Sequence, residues 1–130
     1  METNAMMTIN GEPQSFDLSG TGLNLRQNGL ELSFIITRSS NNPYRRQTIS
    51  IKLPYKKTGE NIIEEFTYSQ NIDLTRSEGD FIDGELQSNV IKNTRECFYV
   101  IFSGILNVGN QEVIIEDGQF SIIYNVPFDD

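Results

Sequence analysis

Residues 21–54, TGLNLRQNGLELSFIITRSSNNPYRRQTISIKLP, decide the fold of this chain. Apolar residues recur there at every second position, in runs over residues 23–25, 30–36 and 49–53. Alternation with period two predicts β-strands that turn one face to a core and the other to water. The dipeptide Asn28-Gly29 lies between the first two runs, and it favours a type I′ hairpin because both central residues need positive φ. We therefore predict a three-stranded antiparallel meander with one solvated face.

Strand signals continue on both sides of this meander. Residues 96–106 are apolar at both odd and even positions, which predicts a central strand. Residues 60–68 differ, because Ile62, Ile63 and Phe66 are spaced as on one helical face; they predict a short helix or turn, and an irregular strand is the alternative. We predict further strands at residues 7–9, 16–18, 81–87, 113–115 and 120–126, a bulge or bend at Gly84, and turns at Asn10-Gly11, 107–111 and Asp117-Gly118.

This tally of about eight strands, with a turn signal roughly every ten residues, indicates an all-β fold. We predict an antiparallel β-sandwich or partly open barrel, formed as a single domain over residues 1–130. No stretch approaches the roughly 20 apolar residues of a membrane-spanning helix. The first seven residues lack the basic and apolar segments of a secretory signal.

The composition excludes several catalytic chemistries. The chain has no histidine, so Ser-His-Asp triads, Cys-His dyads and histidine-ligated metal sites are impossible. Its single cysteine, Cys97, cannot form an intramolecular disulfide, and its apolar neighbours predict a buried small hydrophobe. We expect no cofactor, no metal and no catalytic residues.

The segment at residues 98–124, FYVIFSGILNVGNQEVIIEDGQFSIIY, resembles the closing strands of small cell-envelope lipoprotein domains of Bacteroidetes. Those domains end in an aromatic-x-Gly, a polar turn and then Val-x-Ile-x-x-Gly-x-Phe-x-x-x-Tyr. The opening residues 7–11 are similar to their usual start. Two features differ, because the chain has no tryptophan after its Asn-Gly turn and no lipobox cysteine near residue 1. The resemblance implies a sandwich-like envelope domain with no known catalysis. Its matching positions here are Phe102, Gly104, Val113, Ile115, Gly118, Phe120 and Tyr124.

Charge is divided unevenly along the chain. Residues 1–57 hold seven basic and four acidic residues, whereas residues 58–130 hold three basic and fourteen acidic ones. The net charge of −8 predicts no nucleic-acid binding. Basic and aromatic residues nevertheless alternate around the third strand, as in sites for anionic ligands, although a solvated edge strand blunted by lysine has the same composition. The candidate binding residues are Tyr44, Arg45, Arg46, Tyr55 and Lys56.

Two acidic sets are weaker candidates. Glu78, Asp80, Asp83 and Glu85 are spaced loosely like a calcium loop but do not follow the EF-hand order, and solvated carboxylates explain them as well. A carboxylate-based hydrolase needs two carboxylates that flank a cleft. The chain could supply such a pair from Glu64, Glu65, Asp80 and Asp83.

These observations favour a non-enzymatic binding or accessory domain of the bacterial cell envelope, whose ligand is a glycan, a peptide or another protein. The alternative is a soluble acidic inhibitor or immunity-type protein that binds a basic partner. The third possibility is the small carboxylate-based hydrolase. We expect the domain in the envelope if a leader was removed, and in the cytoplasm otherwise.

Overall fold

The computed structural model describes residues 3–27, 29–39, 45–72, 75–80, 85–109 and 111–128. These residues form ten strands: β1 (Asn4–Ile9), β2 (Glu12–Arg26), β3 (Gly29–Ser39), β4 (Arg45–Pro54), β5 (Gly59–Glu60), β6 (Glu65–Ile72), β7 (Thr75–Asp80), β8 (Gln87–Asn93), β9 (Cys97–Val108) and β10 (Gln111–Ile123).

All ten strands belong to one antiparallel sheet, in the order β5-β8-β9-β10-β1-β2-β3-β4-β6-β7. The sheet curls into a half-barrel and the described residues contain no helix. The predicted all-β class and partly open barrel are therefore confirmed.

The predicted meander is the best-defined part of the sheet. β2 and β3 pair from Asp17↔Thr37 to Arg26↔Gly29, so the two strands of the hairpin are confirmed, while Asn28 of its turn lies outside the described residues. β4 continues the meander, with Phe34 opposite Ile51. This register places every inward side chain of β3 beside an inward side chain of β4, so both strands bury the same face. The fully buried members are Leu32, Phe34, Ile36, Ile49, Ile51 and Leu53.

Aromatic side chains fill the space enclosed by the curled sheet. Phe34 of β3 lies 4.7 Å from Phe98 of β9 and 5.0 Å from Phe120 of β10, measured between ring centroids. Phe66 of β6 packs on Phe102 of β9 at 5.4 Å. Because these pairs join strands far apart in the sheet order, they hold its two halves together across the interior.

The curl also brings the edge strand β7 against the second half of β9. A Cβ added to Gly79 would clash with the carbonyl oxygen of Asn107. Only glycine therefore permits this close approach of the two backbones.

Four sequence predictions need correction. Residues 60–68 form no helix: β6 begins at Glu65, and Phe66 and Tyr68 face the core opposite Ile51 and Ile49. The spacing of the apolar residues fits both a helix and a strand, and the burial of Phe66 and Tyr68 against β4 favours the strand. Of the strand predicted at residues 81–87, residues 85 and 86 form no strand and β8 begins at Gln87, whereas residues 81–84, with Gly84, lie outside the described residues.

The dipeptide Asp117-Gly118 is not a turn between two strands. It forms a bulge inside the continuous strand β10, where the pairing with β9 shifts between Ile115 and Gly118. Asp117 adopts φ of 51° there, and a Cβ on Gly118 would clash with the Phe102 ring. A bulge and a turn use the same residue types, so the local sequence does not distinguish them.

Cys97 also differs from its prediction. It begins β9 and is half-buried rather than fully buried, because the core side of this strand belongs to Phe98, Val100 and Phe102. Its sulfur lies 3.6 Å from the hydroxyl of Thr94 in the preceding turn.

Candidate functional site

The structure divides the candidate residues predicted from the sequence between the two ends of β4. Arg45 and Arg46 begin this strand, and Tyr55 and Lys56 follow its last residue. Ten extended residues span about 30 Å, so the two pairs do not form one site. Tyr44 and the side chain of Arg45 lie outside the described residues, and the side chain of Arg46 is exposed. The Lys56 ammonium lies 5.6 Å from the centroid of the Tyr55 ring.

A concave surface lies elsewhere, on the outer side of β8, β9 and β10. This outer groove has a volume of about 950 Å³. The turn after β5 and the residue before β8 flank the three strands. The lining residues of the outer groove are Glu60, Asn61, Leu86, Gln87, Ser88, Asn89, Ile101, Phe102, Ser103, Asp117, Gly118 and Gln119.

Strand pairing arranges the floor of the outer groove. Asn89 of β8 and Gln119 of β10 both lie opposite Ile101 of β9, and in the next row Gln87 lies opposite Ser103. Because side chains alternate across a strand, these residues share the outer face, while Phe102 between them turns into the core. The floor thus combines amide and hydroxyl groups with one apolar side chain, Ile101, which is 40% exposed.

Asn61 fixes one wall of the groove. Its backbone N–H donates to the carbonyl of Ser88 at 2.8 Å, and its side-chain Oδ1 accepts from the Ser88 N–H at 3.0 Å. This residue has φ of 55°, which asparagine tolerates better than most residues. The paired bonds continue the edge begun by β5 and hold Glu60 beside the groove.

The groove is acidic at its margins. Glu60 and Asp117 are exposed, and they come from β5 and from the bulge of β10. No lysine or arginine belongs to the lining described here. The groove therefore suits neutral polar groups at its floor and positive charge at its margins.

Only some of the acidic candidates from the sequence have described side chains. Glu65 pairs with Lys52 across β6 and β4 at 3.1 Å, and Glu85 is exposed before β8. The side chains of Glu78 and Asp80, and all of Asp83, lie outside the described residues. Within the described part of the chain, no three acidic or cysteine side chains are placed to hold a metal ion.

Sequence reasoning missed the outer groove because its residues are separated along the chain. Asn89 and Gln119 lie outside the strands predicted from the sequence, and Ile101 lies in the strand predicted to be central. Only the register of β8, β9 and β10 brings them into one row. The available signal was the presence of several amide residues on outward positions, which polar strand surfaces also show.

The described residues include no helix long and apolar enough to cross a membrane. Comparison with known proteins found no matching family model, no matching curated protein and no matching solved structure.

Proposed function

We propose that this chain is a non-enzymatic binding domain of the bacterial cell envelope that holds a glycan in the outer groove. The row Asn89, Ile101 and Gln119 carries this proposal. Each amide side chain offers both a donor and an acceptor, and Ile101 lies between them as an apolar contact. This combination suits a chain of N-acetylated sugars, whose acetamido groups pair with amides and whose methyl groups pack on an aliphatic side chain.

The envelope assignment is supported by the resemblance of residues 98–124 to envelope lipoprotein domains. The groove is also shallow enough to admit a polymer along the sheet rather than a small molecule into a deep cavity. An accessory domain that holds a chain without cleaving it needs only such a surface.

The proposal is tested by titrating the protein with tetra-N-acetylchitotetraose and, as a neutral control, with maltotetraose. We expect the acetylated chain alone to bind. Replacing one amide of the row (Asn89→Ala or Gln119→Ala) should weaken binding by about 3- to 10-fold, since a net hydrogen bond contributes roughly 0.5–1.5 kcal/mol. Ser50→Ala, on β4 away from the groove, is the matched control. Absence of binding, or equal binding by all variants, contradicts the proposal.

A second candidate function follows from the acidic margins of the groove. Glu60 and Asp117 could receive the basic side chains of a protein partner, and the net charge of −8 would speed its association. Oligolysine peptides test this alternative. If it is correct, Glu60→Gln with Asp117→Asn weakens their binding and reduces its salt dependence; asparagine is chosen because it tolerates the positive φ of residue 117.

A further inference from the structure

The row of side chains on the floor of the outer groove continues beyond the groove. Met6 of β1 lies opposite Gln119 of β10, and Ser15 of β2 lies opposite Met6. At the other end of the row, Glu60 of β5 lies opposite Asn89 of β8. Six neighbouring strands therefore contribute one residue each to a single line across the sheet, which we call the outer row. In sheet order the outer row is Glu60, Asn89, Ile101, Gln119, Met6 and Ser15.

The outer row stays on the solvated face of the sheet where it leaves the groove. Residues that lie opposite each other on paired strands share a face, because side chains alternate along each strand. The neighbours of Met6 in β1, Ala5 and Met7, are buried in the core, whereas Met6 is 38% exposed, close to the 40% of Ile101. Ser15 is exposed as well. The two added positions are therefore as accessible to a ligand as the floor of the groove.

Polar and apolar side chains alternate along the outer row. Asn89, Gln119 and Ser15 follow one another two strands apart, and Ile101 and Met6 lie between them. Neighbouring strands are about 4.8 Å apart, which is close to the length that one sugar adds to an extended 1,4-linked chain. Successive sugars of a β-1,4-linked chain are turned over, so that every second acetamido group points to the same side. The polar positions of the outer row have the same repeat of two units.

The bulge of β10 leaves the outer row in line. Pairing with β9 shifts between Ile115 and Gly118, and pairing with β1 shifts between Met6 and Thr8. Gln119 lies past both shifts and is in direct register with Met6 on one side and with β9 on the other. The outer row therefore passes from the groove to β1 without a step.

We propose that the outer groove is one end of a longer site, in which a β-1,4-linked chain of N-acetylated sugars lies across the strands with one sugar on each strand. This inference rests on the proposed function and extends the site to β1 and β2. Four sugars cover the part of the outer row inside the groove, and two more reach Met6 and Ser15. Met6 supplies an apolar contact like that of Ile101, and the Ser15 hydroxyl bonds a polar group of the last sugar.

The test compares tetra-N-acetylchitotetraose with hexa-N-acetylchitohexaose, titrated into the whole chain by isothermal titration calorimetry. We expect the hexasaccharide to bind about tenfold more tightly, since it gains an apolar contact and a hydrogen bond. This gain exceeds the statistical one from the additional binding positions of a longer chain. The double variant Met6→Ala/Ser15→Ala should lose this gain and bind the tetrasaccharide as the unchanged chain does.

Ile35→Ala is the matched control variant. It removes a similarly exposed apolar side chain, 43% accessible, from the outer face of β3, which does not contribute to the outer row. Its affinity for both sugars should equal that of the unchanged chain. Circular dichroism shows that each variant has folded.

The two chain lengths separate this inference from the proposed function. If the tetrasaccharide does not bind, the proposed function fails and the longer site fails with it. If the tetrasaccharide binds but the hexasaccharide binds no more tightly, or if the double variant keeps full affinity for the hexasaccharide, the groove remains a binding site and the longer site is overturned. NMR gives a second readout, because the hexasaccharide alone should shift the amides of residues 6 and 15. Unshifted amides at both residues would also overturn the longer site.

Discussion

Tyr68 and Tyr124 differ in the hydrogen bonding of their hydroxyl groups. Tyr68 is 1% exposed; its hydroxyl accepts from Gln47 Nε2 at 2.7 Å and donates to Gln70 Oε1 at 3.3 Å. The Tyr124 hydroxyl is buried without a partner in the described structure. We expect Tyr68→Phe to lower the free energy of unfolding by about 1 kcal/mol, because it leaves the Gln47 donor unpaired. Tyr124→Phe should leave it unchanged or raise it by up to about 1 kcal/mol.

Urea unfolding followed by circular dichroism measures both variants. Tyr99→Phe is the control for the loss of a hydroxyl from the outer face of β9. A loss of stability in Tyr124→Phe as large as that in Tyr68→Phe would show that its hydroxyl has a partner inside the folded chain.

The raised pKa of Tyr124 predicts that the free energy of unfolding falls in alkali. Burial raises the pKa of Tyr124 above its ordinary value of 10. Below pH 10 both folded and unfolded chains keep this proton, so its contribution is fully present there. As the pH rises above 10, the unfolded chain loses the proton first, and the free energy of unfolding falls by at most about 1.4 kcal/mol per pH unit. Urea unfolding between pH 9 and pH 11 should show a steeper fall for the unchanged chain than for Tyr124→Phe, and parallel curves would refute this.

Among the strands, β10 depends on the bulge at Asp117 and Gly118. A Cβ at residue 118 would press on the Phe102 ring, which is part of the core. We expect Gly118→Ala to destabilise the fold by about 1–3 kcal/mol, the usual cost of overpacking. Gly20→Ala is the matched control in β2, since its Cβ would meet Ile35 only at 3.8 Å. Thermal unfolding compares the two, and equal midpoints would contradict the packing described for Phe102.

The strands also show where sequence reasoning succeeds and where it stops. Alternation was sufficient for β3 and β4, because one face of each is fully buried and the other is largely polar. It was insufficient at residues 60–68, where a half-buried connection precedes β6 and the apolar spacing fits a helix as well. At Asp117-Gly118 the residue types allow both a turn and a bulge, and only the pairing with β9 decides between them.

For the molecule as a whole, topology rather than local sequence assembles the candidate site and the aromatic cluster at the end of β4. The outer groove joins residues near positions 60, 89, 101 and 119, and the aromatic cluster joins Tyr55 with Tyr124 and Phe128. The basic neighbours of Tyr55 single it out in the sequence. Its ring partners Tyr124 and Phe128 cannot be found in this way, because the sequence shows them only as part of a strand and of the C-terminal segment. The ten residues of β4 place Arg45 and Arg46 far from Tyr55 and Lys56, although these basic and aromatic residues lie close together in the sequence.

The outer groove is the surface of the half-barrel that the proposed function requires. The most direct measurement is an NMR titration of the whole protein with tetra-N-acetylchitotetraose. Binding in the outer groove predicts amide shifts concentrated at residues 87–89, 101–103 and 117–119, with the sugar resonances unchanged in time. Shifts spread elsewhere, or none at all, would contradict the groove as the binding surface, and the appearance of shorter sugars would contradict a non-enzymatic role.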